Sequence, residues 1–278
     1  MRLARVETSG GPIVAIVEGT DLFRAEVESR GFEDLPELLR AAGESRGIGR
    51  GAHVAAVESA RLLAPVGRPA KIIGIGLNYR AHAAETGQQP PPAPPLFAKW
   101  TNTLLGPNDD VPMPSVSNAI DYEAELAFVV GRTCRNVAAA EAAGALLGFT
   151  AANDVSARDF QMKTGQWTAG KTFDGFCPLG PWIVTVDELG PSPDLAIRGR
   201  LDGEVKQDSR TSDLIYSVPE LLAFLSSIMT LEPGDTVLTG TPSGVGMARK
   251  PPRYLRPGET YEVEIERIGS LKNRFVAC

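Results

Sequence analysis

The fold of this chain is decided by the stretch Asp121-Tyr122-Glu123-Ala124-Glu125-Leu126-Ala127-Phe128-Val129-Val130-Gly131. Its apolar residues alternate and a glycine ends the run, which predicts a β-strand. With a side-chain period of two, Asp121, Glu123 and Glu125 share one face of that strand. Burying an ionised carboxylate is costly unless a cation offsets the charge. Two interpretations follow: an edge strand with a solvated acidic face, or one wall of a cation site.

A second polar cluster favours the cation site. The residues Asn153-Asp154-Val155-Ser156-Ala157-Arg158-Asp159-Phe160-Gln161 follow the acidic strand after a short connection. A third carboxylate from this cluster would complete a site made only of oxygen ligands. Mg²⁺ and Mn²⁺ prefer such sites. A divalent cation site is therefore the working hypothesis.

Composition limits the function classes. A chain of 278 residues can hold one large domain, or a large domain with a small appendage. No apolar run approaches the ~18 residues of a membrane span, and residues 1–7 lack the apolar core of a signal peptide, so we expect a cytoplasmic protein without a membrane partner. A net charge of −6 gives no electrostatic footprint for nucleic acid. The cysteines are odd in number and widely spaced: Cys134, Cys177 and Cys278. This pattern indicates a reducing compartment and no cysteine-based metal site.

Residues 1–65 are expected to form a small N-terminal domain, and residues 66–278 a catalytic domain. Residues 13–19 predict a strand and residues 32–42 a helix with Gly43 as its C-cap. Nothing in this region indicates chemistry. His53 is more consistent with a surface or partly buried histidine than with a ligand.

The stretch Lys71-Ile72-Ile73-Gly74-Ile75-Gly76-Leu77-Asn78-Tyr79 predicts a buried strand that runs into a loop. Its Gly74-x-Gly76 pair is not a dinucleotide fingerprint, because Tyr79 stands where the third glycine belongs. If a helix follows, His82 and Glu85 are neighbours on one face. A glutamate beside a histidine orients the ring and raises its basicity, as a water-activating base requires. The alternative is an incidental pair on a surface helix.

The remaining segments are predicted to have mostly structural roles. Proline-rich residues 88–95 favour an extended arm, either a plain linker or the return of a lid over the site. Residues 138–147 predict a crossover helix, and residues 165–176 a glycine-rich loop whose Lys171 is suited to an anionic substrate group. Asp202-Gly203 predicts a hairpin turn, and Ser217-Val218-Pro219-Glu220 a capped helix. In the glycine-rich turn at residues 239–246, backbone N–H groups and Thr241 can receive a carboxylate or an oxyanion.

Five motifs, in order along the chain, resemble those of the fumarylacetoacetate hydrolase family over residues 68–278. They are Gly76-Leu77-Asn78-Tyr79 with His82 and Glu85, Asp121-Tyr122-Glu123-Ala124-Glu125-Leu126, the Asn153 to Gln161 cluster, Lys171-Thr172-Phe173-Asp174, and Thr239-Gly240-Thr241-Pro242-Ser243-Gly244-Val245-Gly246. The resemblance implies an α+β, mostly β fold: a mixed β-sandwich roll with short helices, usually dimeric, behind a small N-terminal domain typical of bacterial members.

The resemblance also implies roles for single residues. It gives a Mg²⁺ or Mn²⁺ ion the ligands Glu123, Glu125 and Asp154. It makes His82 and Glu85 a water-activating dyad on a lid. Other residues match positions that contact substrate or stabilise an oxyanion: Arg158, Gln161, Lys171, and Thr241 with Gly240 before it.

The expected activity is metal-assisted hydrolysis of a carbon–carbon bond in a 2,4-dioxo acid (an acylpyruvate). Decarboxylation or double-bond isomerisation of a related 2-oxo acid is the alternative, because both use the same chelation. A metal-dependent binding protein without turnover is disfavoured, since a binder needs no base beside its metal. The lid and residues 86–95 are expected to select the distal substituent of the substrate.

Overall fold

Strands dominate the computed structural model, which describes residues 1–44 and 47–278. The strands are β1 (Arg2–Thr8), β2 (Gly11–Glu18), β3 (Asp21–Val27), β4 (Arg30–Gly31), β5 (Gly49–Ala56), β6 (Leu62–Leu63), β7 (Ile72–Ile75), β8 (Leu96–Lys99), β9 (Leu104–Leu105), β10 (Asp110–Met113), β11 (Ile120–Asp121), β12 (Ala124–Val130), β13 (Leu146–Asn153), β14 (Ser156–Ala157), β15 (Cys177–Thr185), β16 (Ala196–Leu201), β17 (Glu204–Arg210), β18 (Thr236–Leu238), β19 (Thr260–Ile265) and β20 (Gly269–Ala277).

Six short α-helices connect or cover these strands in the described residues. They are α1 (Leu35–Glu44), α2 (Arg80–Glu85), α3 (Arg158–Gln161), α4 (Thr168–Lys171), α5 (Val186–Leu189) and α6 (Val218–Ile228). None of the helices in residues 1–44 and 47–278 has the length and apolar character that crossing a membrane requires.

Two sheets face each other and form the main core between them. The larger has 13 strands, with the order β4-β3-β2-β1-β15-β13-β12-β18-β7-β8 and with β5, β6 and β9 attached to its side. The smaller has five strands, in the order β10-β20-β19-β16-β17. Leu126 and Phe128 of β12 share one buried cluster with Val263 of β19 and Ile197 of β16. The fold is therefore α+β and mostly β, as the family resemblance implies.

The acidic stretch forms a central strand and not an edge. β12 pairs antiparallel with β13 on one side and with β18 on the other, and all seven of its residues are buried. Its second face also meets apolar neighbours: Ala127 packs with Leu238, and Val129 with residues of α1. Burial on both faces therefore leaves no solvated side for Glu125.

The predicted continuous strand from Asp121 is wrong at its start. Tyr122 and Glu123 lie outside regular pairing, and Asp121 belongs to β11, which pairs with β14. This break separates the three acids, because Asp121 is directed toward Arg158 while Glu123 and Glu125 are grouped with Asp154.

Two other predicted elements differ from the structure. The crossover helix at residues 138–147 is a single 3₁₀ segment, Ala139–Gly144, and Leu146 already pairs with Val130 in an antiparallel ladder that needs no crossover. The glycine-rich loop at residues 165–176 contains the helix α4. By contrast, the Asp202-Gly203 hairpin is confirmed, with both residues at positive φ, and so is the capping box of Ser217 and Glu220.

The N-terminal strands continue the larger sheet. β1 pairs with β15 through Leu3 and Ile183, while Leu35 and Leu38 of α1 pack on the same cluster as Ile183. The predicted helix at residues 32–42 begins at Leu35 instead, where the Asp34 carboxylate accepts a hydrogen bond from the Leu35 N–H. The division of the chain at residue 65 stays a prediction.

Candidate active site

Three buried carboxylates converge beside the start of β12. Oxygen atoms of Glu123, Glu125 and Asp154 all lie within 4.8 Å of one another. The antiparallel pairing of β12 with β13 produces this convergence, because Ala124 lies opposite Asn153 and the Asp154 N–H donates to the Glu123 carbonyl. The Asn153 side chain also accepts a hydrogen bond from the Glu123 N–H, at 3.1 Å.

Two buried lysines hold Asp154, one on each oxygen. Lys99 Nζ lies 2.6 Å from Oδ1, and Lys171 Nζ lies 2.6 Å from Oδ2. Lys171 also lies 2.8 Å from Glu123. Burial works to lower the pKa of Lys171, but Asp154 and Glu123 outweigh that effect and raise it. The ammonium group therefore keeps its charge in the interior.

Glu123 and Glu125 have opposite electrostatic surroundings. Burial opposes ionisation of Glu123, but Lys171 and Arg158, whose Nη2 is 2.7 Å away, hold its pKa at about 2. Burial and then the charges of Asp154 and Glu123 raise the pKa of Glu125 well above its usual value. Within residues 1–44 and 47–278, Glu125 forms no salt bridge, and its carboxylate accepts one hydrogen bond, from the Gly240 N–H at 2.7 Å.

This donor set fits a divalent metal ion. The three carboxylates offer only oxygen atoms, which hard cations such as Mg²⁺ and Mn²⁺ prefer. Glu125 is the acid whose charge the surrounding residues leave unbalanced. A cation placed among the three carboxylates would supply the missing positive charge and oppose the rise in the pKa of Glu125 that burial and the neighbouring acids cause.

His82 reaches the same site from α2. Its Nδ1 lies 3.1 Å from Oε2 of Glu85, and the other Glu85 oxygen accepts a hydrogen bond from the Gly244 N–H at 2.8 Å. Because an ionised carboxylate only accepts hydrogen bonds, Nδ1 is the donor to Glu85, and in the neutral ring Nε2 is then the acceptor. The helix is fixed at its start as well, where Arg80 donates to the Asp213 and Leu214 carbonyls.

The turn after β18 contacts both the acids and the second sheet. The Thr241 hydroxyl donates to the Ala124 carbonyl at 3.0 Å and accepts from Gln207 Nε2 at 2.8 Å. Its only proton is therefore committed to the protein. Gln207 is 1% exposed and also accepts hydrogen bonds from the Ala124 N–H and the Tyr261 hydroxyl. It thus ties the segment between the two glutamates to the smaller sheet.

Arg158 joins the site to the loop that holds Glu85. Its Nε lies 2.8 Å from Asp121, and its Nη1 donates to Gln161 Oε1 at 2.9 Å. The Asp121 carboxylate also accepts hydrogen bonds from the N–H groups of Gly246 and Met247. Asp121, the acid of the stretch 121–131 that lies outside the cluster, therefore has a structural role, because it positions Arg158 and the loop.

A cavity of about 360 Å³ lies in front of the carboxylates. Seven of the residues predicted from the sequence line it: His82, Glu123, Glu125, Arg158, Gln161, Lys171 and Thr241. Asp154 lies behind them and is fully buried, while Glu85 and Gly240 contact the lining residues from outside. The structure therefore brings all ten predicted site residues to one place.

Comparisons with known proteins show the family of the chain. The family profile described as Fumarylacetoacetate (FAA) hydrolase C-terminal matches residues 71–276. The chain belongs to the fumarylacetoacetate hydrolase family. It is 45% identical to a mitochondrial oxaloacetate tautomerase of Rattus norvegicus over 215 residues. The aligned region covers 77% of this chain and 69% of the relative.

Solved structures of the family cover the whole chain. A 5-carboxymethyl-2-hydroxymuconate delta-isomerase from Mycobacterium smegmatis has a TM-score of 0.82 and 39% identity, over 100% of this chain and 99% of the other. A fumarylacetoacetate hydrolase from the psychrophilic Exiguobacterium antarcticum has a TM-score of 0.87 and 33% identity, over 100% of both chains. The family thus includes hydrolases, isomerases and tautomerases, and because the rat relative is mitochondrial, the cytoplasmic location stays a prediction.

Sequence reasoning missed Lys99. The signal was present in β8, where Leu96 and Ala98 are exposed while Phe97 and Lys99 point inward. A lysine in register with an inward phenylalanine indicates a buried cation, which in turn requires a buried anion.

The opposite surroundings of Glu123 and Glu125 predict opposite effects of the same substitution in metal-free protein. Glu125→Gln removes a charge that folding disfavours, so at pH 8 in EDTA it is expected to raise the free energy of unfolding by about 1 kcal/mol. Glu123→Gln removes one of the two carboxylates that Lys171 and Arg158 each contact, so it is expected to lower that free energy by about 2 kcal/mol. Urea denaturation of both variants measures the difference.

The pH dependence provides the control. A raised pKa in the folded state means that the wild type loses stability as pH rises through that pKa. The advantage of Glu125→Gln is therefore expected to shrink as pH falls from 8 toward the ordinary glutamate value of about 4.3. Equal changes in both variants would contradict the assigned electrostatics.

Proposed function

We propose that this protein is a divalent-metal-dependent hydrolase that cleaves the C3–C4 bond of a 2,4-dioxo acid. The observation that carries the proposal is the His82–Glu85 pair: Gly244 holds Glu85, and His82 lines the same cavity as Glu123 and Glu125. A histidine base that lines a cavity beside a metal-type carboxylate cluster is the arrangement that water activation requires.

The proposed reaction adds water across one carbon–carbon bond. The water oxygen bonds to C4, its proton passes to His82 Nε2, the C3–C4 bond breaks, and C3 receives a proton. The products are pyruvate and the carboxylate of the distal acyl group. Mg²⁺ or Mn²⁺, bound by Glu123, Glu125 and Asp154, would act as a Lewis acid on the 2-oxo acid end of the substrate.

The remaining residues would hold and polarise the substrate. Lys171 and Arg158 place two permanent positive charges at the wall of the cavity, where negative charge develops during cleavage. Gln161 accepts a hydrogen bond from Arg158 through Oε1. Its amide nitrogen Nε2 would therefore be the atom that donates a hydrogen bond to the substrate. At the turn, Gly240 holds Glu125 and the Thr241 hydroxyl is committed to Ala124, so we propose that these two residues act by fixing the carboxylate cluster.

Keto–enol tautomerisation or double-bond isomerisation of a 2-oxo acid is the second candidate. It is favoured by the 45% identity to the rat oxaloacetate tautomerase and by the likeness to the Mycobacterium smegmatis isomerase. Moving a proton between C3 and an enol oxygen needs a base in the same position as His82. The two candidates differ in one respect: only hydrolysis consumes water and breaks the carbon skeleton.

Product analysis separates the two candidates, and His82 tests the mechanism. With Mg²⁺ or Mn²⁺, acetylpyruvate is expected to yield pyruvate and acetate by mass spectrometry. His82→Ala is expected to lower that rate by about a hundredfold to ten-thousandfold, the usual contribution of a general base. Glu85→Gln is expected to act in the same direction but less strongly, because it changes only the orientation of the ring.

The chain offers a matched control in its other histidine. His53 has a side chain that is 54% exposed and pairs with Asp21, away from the cavity lining, so His53→Ala is expected to keep the wild-type rate. If the protein leaves acetylpyruvate uncleaved and accelerates the change in the enol absorbance of oxaloacetate, the result would favour the tautomerase. If the His82→Ala variant hydrolyses acetylpyruvate at a rate within a few-fold of the wild-type rate, the result would contradict His82 as the base.

We also propose a homodimer, which rests on the family resemblance and on the prevalence of two-fold symmetric pairs among soluble oligomers. Light scattering at micromolar concentration is expected to give twice the mass of the 29.6 kDa chain. A monomer under these conditions would contradict the proposal.

A further inference from the structure

The Gly74-x-Gly76 pair, which matches no nucleotide fingerprint, has a different role in the structure. Both glycines lie at the end of β7, where aromatic rings take the space of the missing side chains. A Cβ atom at Gly74 would lie 2.1 Å from the ring of Phe97, and one at Gly76 would lie 2.1 Å from the ring of Trp167. Glycine is the residue that permits such close approach to a backbone.

The two rings form a continuous wall that begins at the carboxylate cluster. Lys171 Nζ lies over the Phe97 ring at 5.0 Å, within cation–π range. Phe97 and Trp167 meet edge to face, with ring centroids 6.0 Å apart and an interplanar angle of 67°. Trp167 immediately precedes α4 and stands four residues before Lys171, so one helical turn places the charge and the outer ring on the same side.

The cavity lining contains two chemically distinct groups of residues. One group is charged or polar and includes Glu123, Glu125, Lys171, Arg158 and His82. The other group is apolar and consists of Ile75, Leu77, Phe97, Met162, Trp167 and Met247. Of the segment 86–95, which we expected to select the substituent, only Thr86 and Gln88 line the cavity.

We infer that the Phe97–Trp167 wall is the subsite for the distal substituent of the substrate, and that it selects a flat, apolar group. The inference rests on the proposed function, because it takes the 2-oxo acid end to lie at the carboxylates. A second carboxylate in this position would lose its hydration against apolar side chains, whereas an aryl or alkenyl group would gain contact with both rings. An aryl-substituted 2,4-dioxo acid is the substrate class that the wall fits.

Binding of ligands that cannot be cleaved tests the subsite without turnover. Calorimetry of the Mg²⁺-loaded protein compares oxalate, pyruvate and phenylpyruvate, which share the chelating end and differ in the substituent. Each buried methylene is worth ~4-fold in affinity. Phenylpyruvate is therefore expected to bind at least about tenfold more tightly than pyruvate.

Variants show which side chains produce the tighter binding of phenylpyruvate. Trp167→Ala is expected to remove most of the tenfold preference while changing the affinity for oxalate less than about threefold. Gly76→Ala is expected to reduce the same preference with Trp167 still present, because the new methyl group displaces its ring. Trp100→Ala is the matched control: this tryptophan is 59% exposed and lies outside the cavity lining, so both affinities are expected to stay unchanged.

The outcomes separate the subsite from the reaction. Equal affinity for phenylpyruvate and pyruvate in the wild type would overturn the inference, as would equal effects of Trp167→Ala and Trp100→Ala. The expected selectivity without cleavage of any acylpyruvate would support the subsite and contradict hydrolysis. Failure of all three ligands to bind would overturn both the subsite and the proposed function.

Discussion

Repulsion among three buried carboxylates is the constraint on which the site depends. Glu123, Glu125 and Asp154 lie within 4.8 Å of one another, in an interior where unbalanced charge is costly. Lys99, Lys171 and Arg158 balance part of this charge, and each belongs to a different segment of the chain. Removing any one cation would leave more of this negative charge unbalanced. The strand β8, the helices α3 and α4 and the strand β12 are therefore held together by the same electrostatic requirement.

Local patterns were sufficient to predict much of the fold and of the candidate site. The alternation around Glu125 predicts β12 and the shared direction of Glu123 and Glu125, and the spacing of His82 and Glu85 predicts their contact on α2. The Asp202-Gly203 turn and the Ser217 capping box are equally local, since each is defined within four residues. The choice of Asp154 as the third acid, however, came from the family resemblance and not from spacing.

The remaining features depend on partners that are distant in sequence. Asp121 alternates with Glu123 along the chain, but Arg158 and the N–H groups of Gly246 and Met247 direct it elsewhere. Lys99 acquires its role only when β8 comes next to Asp154, 55 residues away. The role of the glycines at 74 and 76 depends on Phe97 and Trp167, whose rings fill the space beside them. Propensity does not specify such contacts, because the sheet order creates them.

The central claim is that the three carboxylates form a divalent metal site, and anomalous diffraction from Mn²⁺-soaked crystals tests it most directly. We predict one anomalous peak per chain at the carboxylate cluster, coordinated by oxygens of Glu123, Glu125 and Asp154. Glu125, the acid whose charge the surrounding residues leave unbalanced, is expected to be among the ligands in every chain. An anomalous map without a peak at this cluster, with Asp154 still held by Lys99 and Lys171, would contradict the claim.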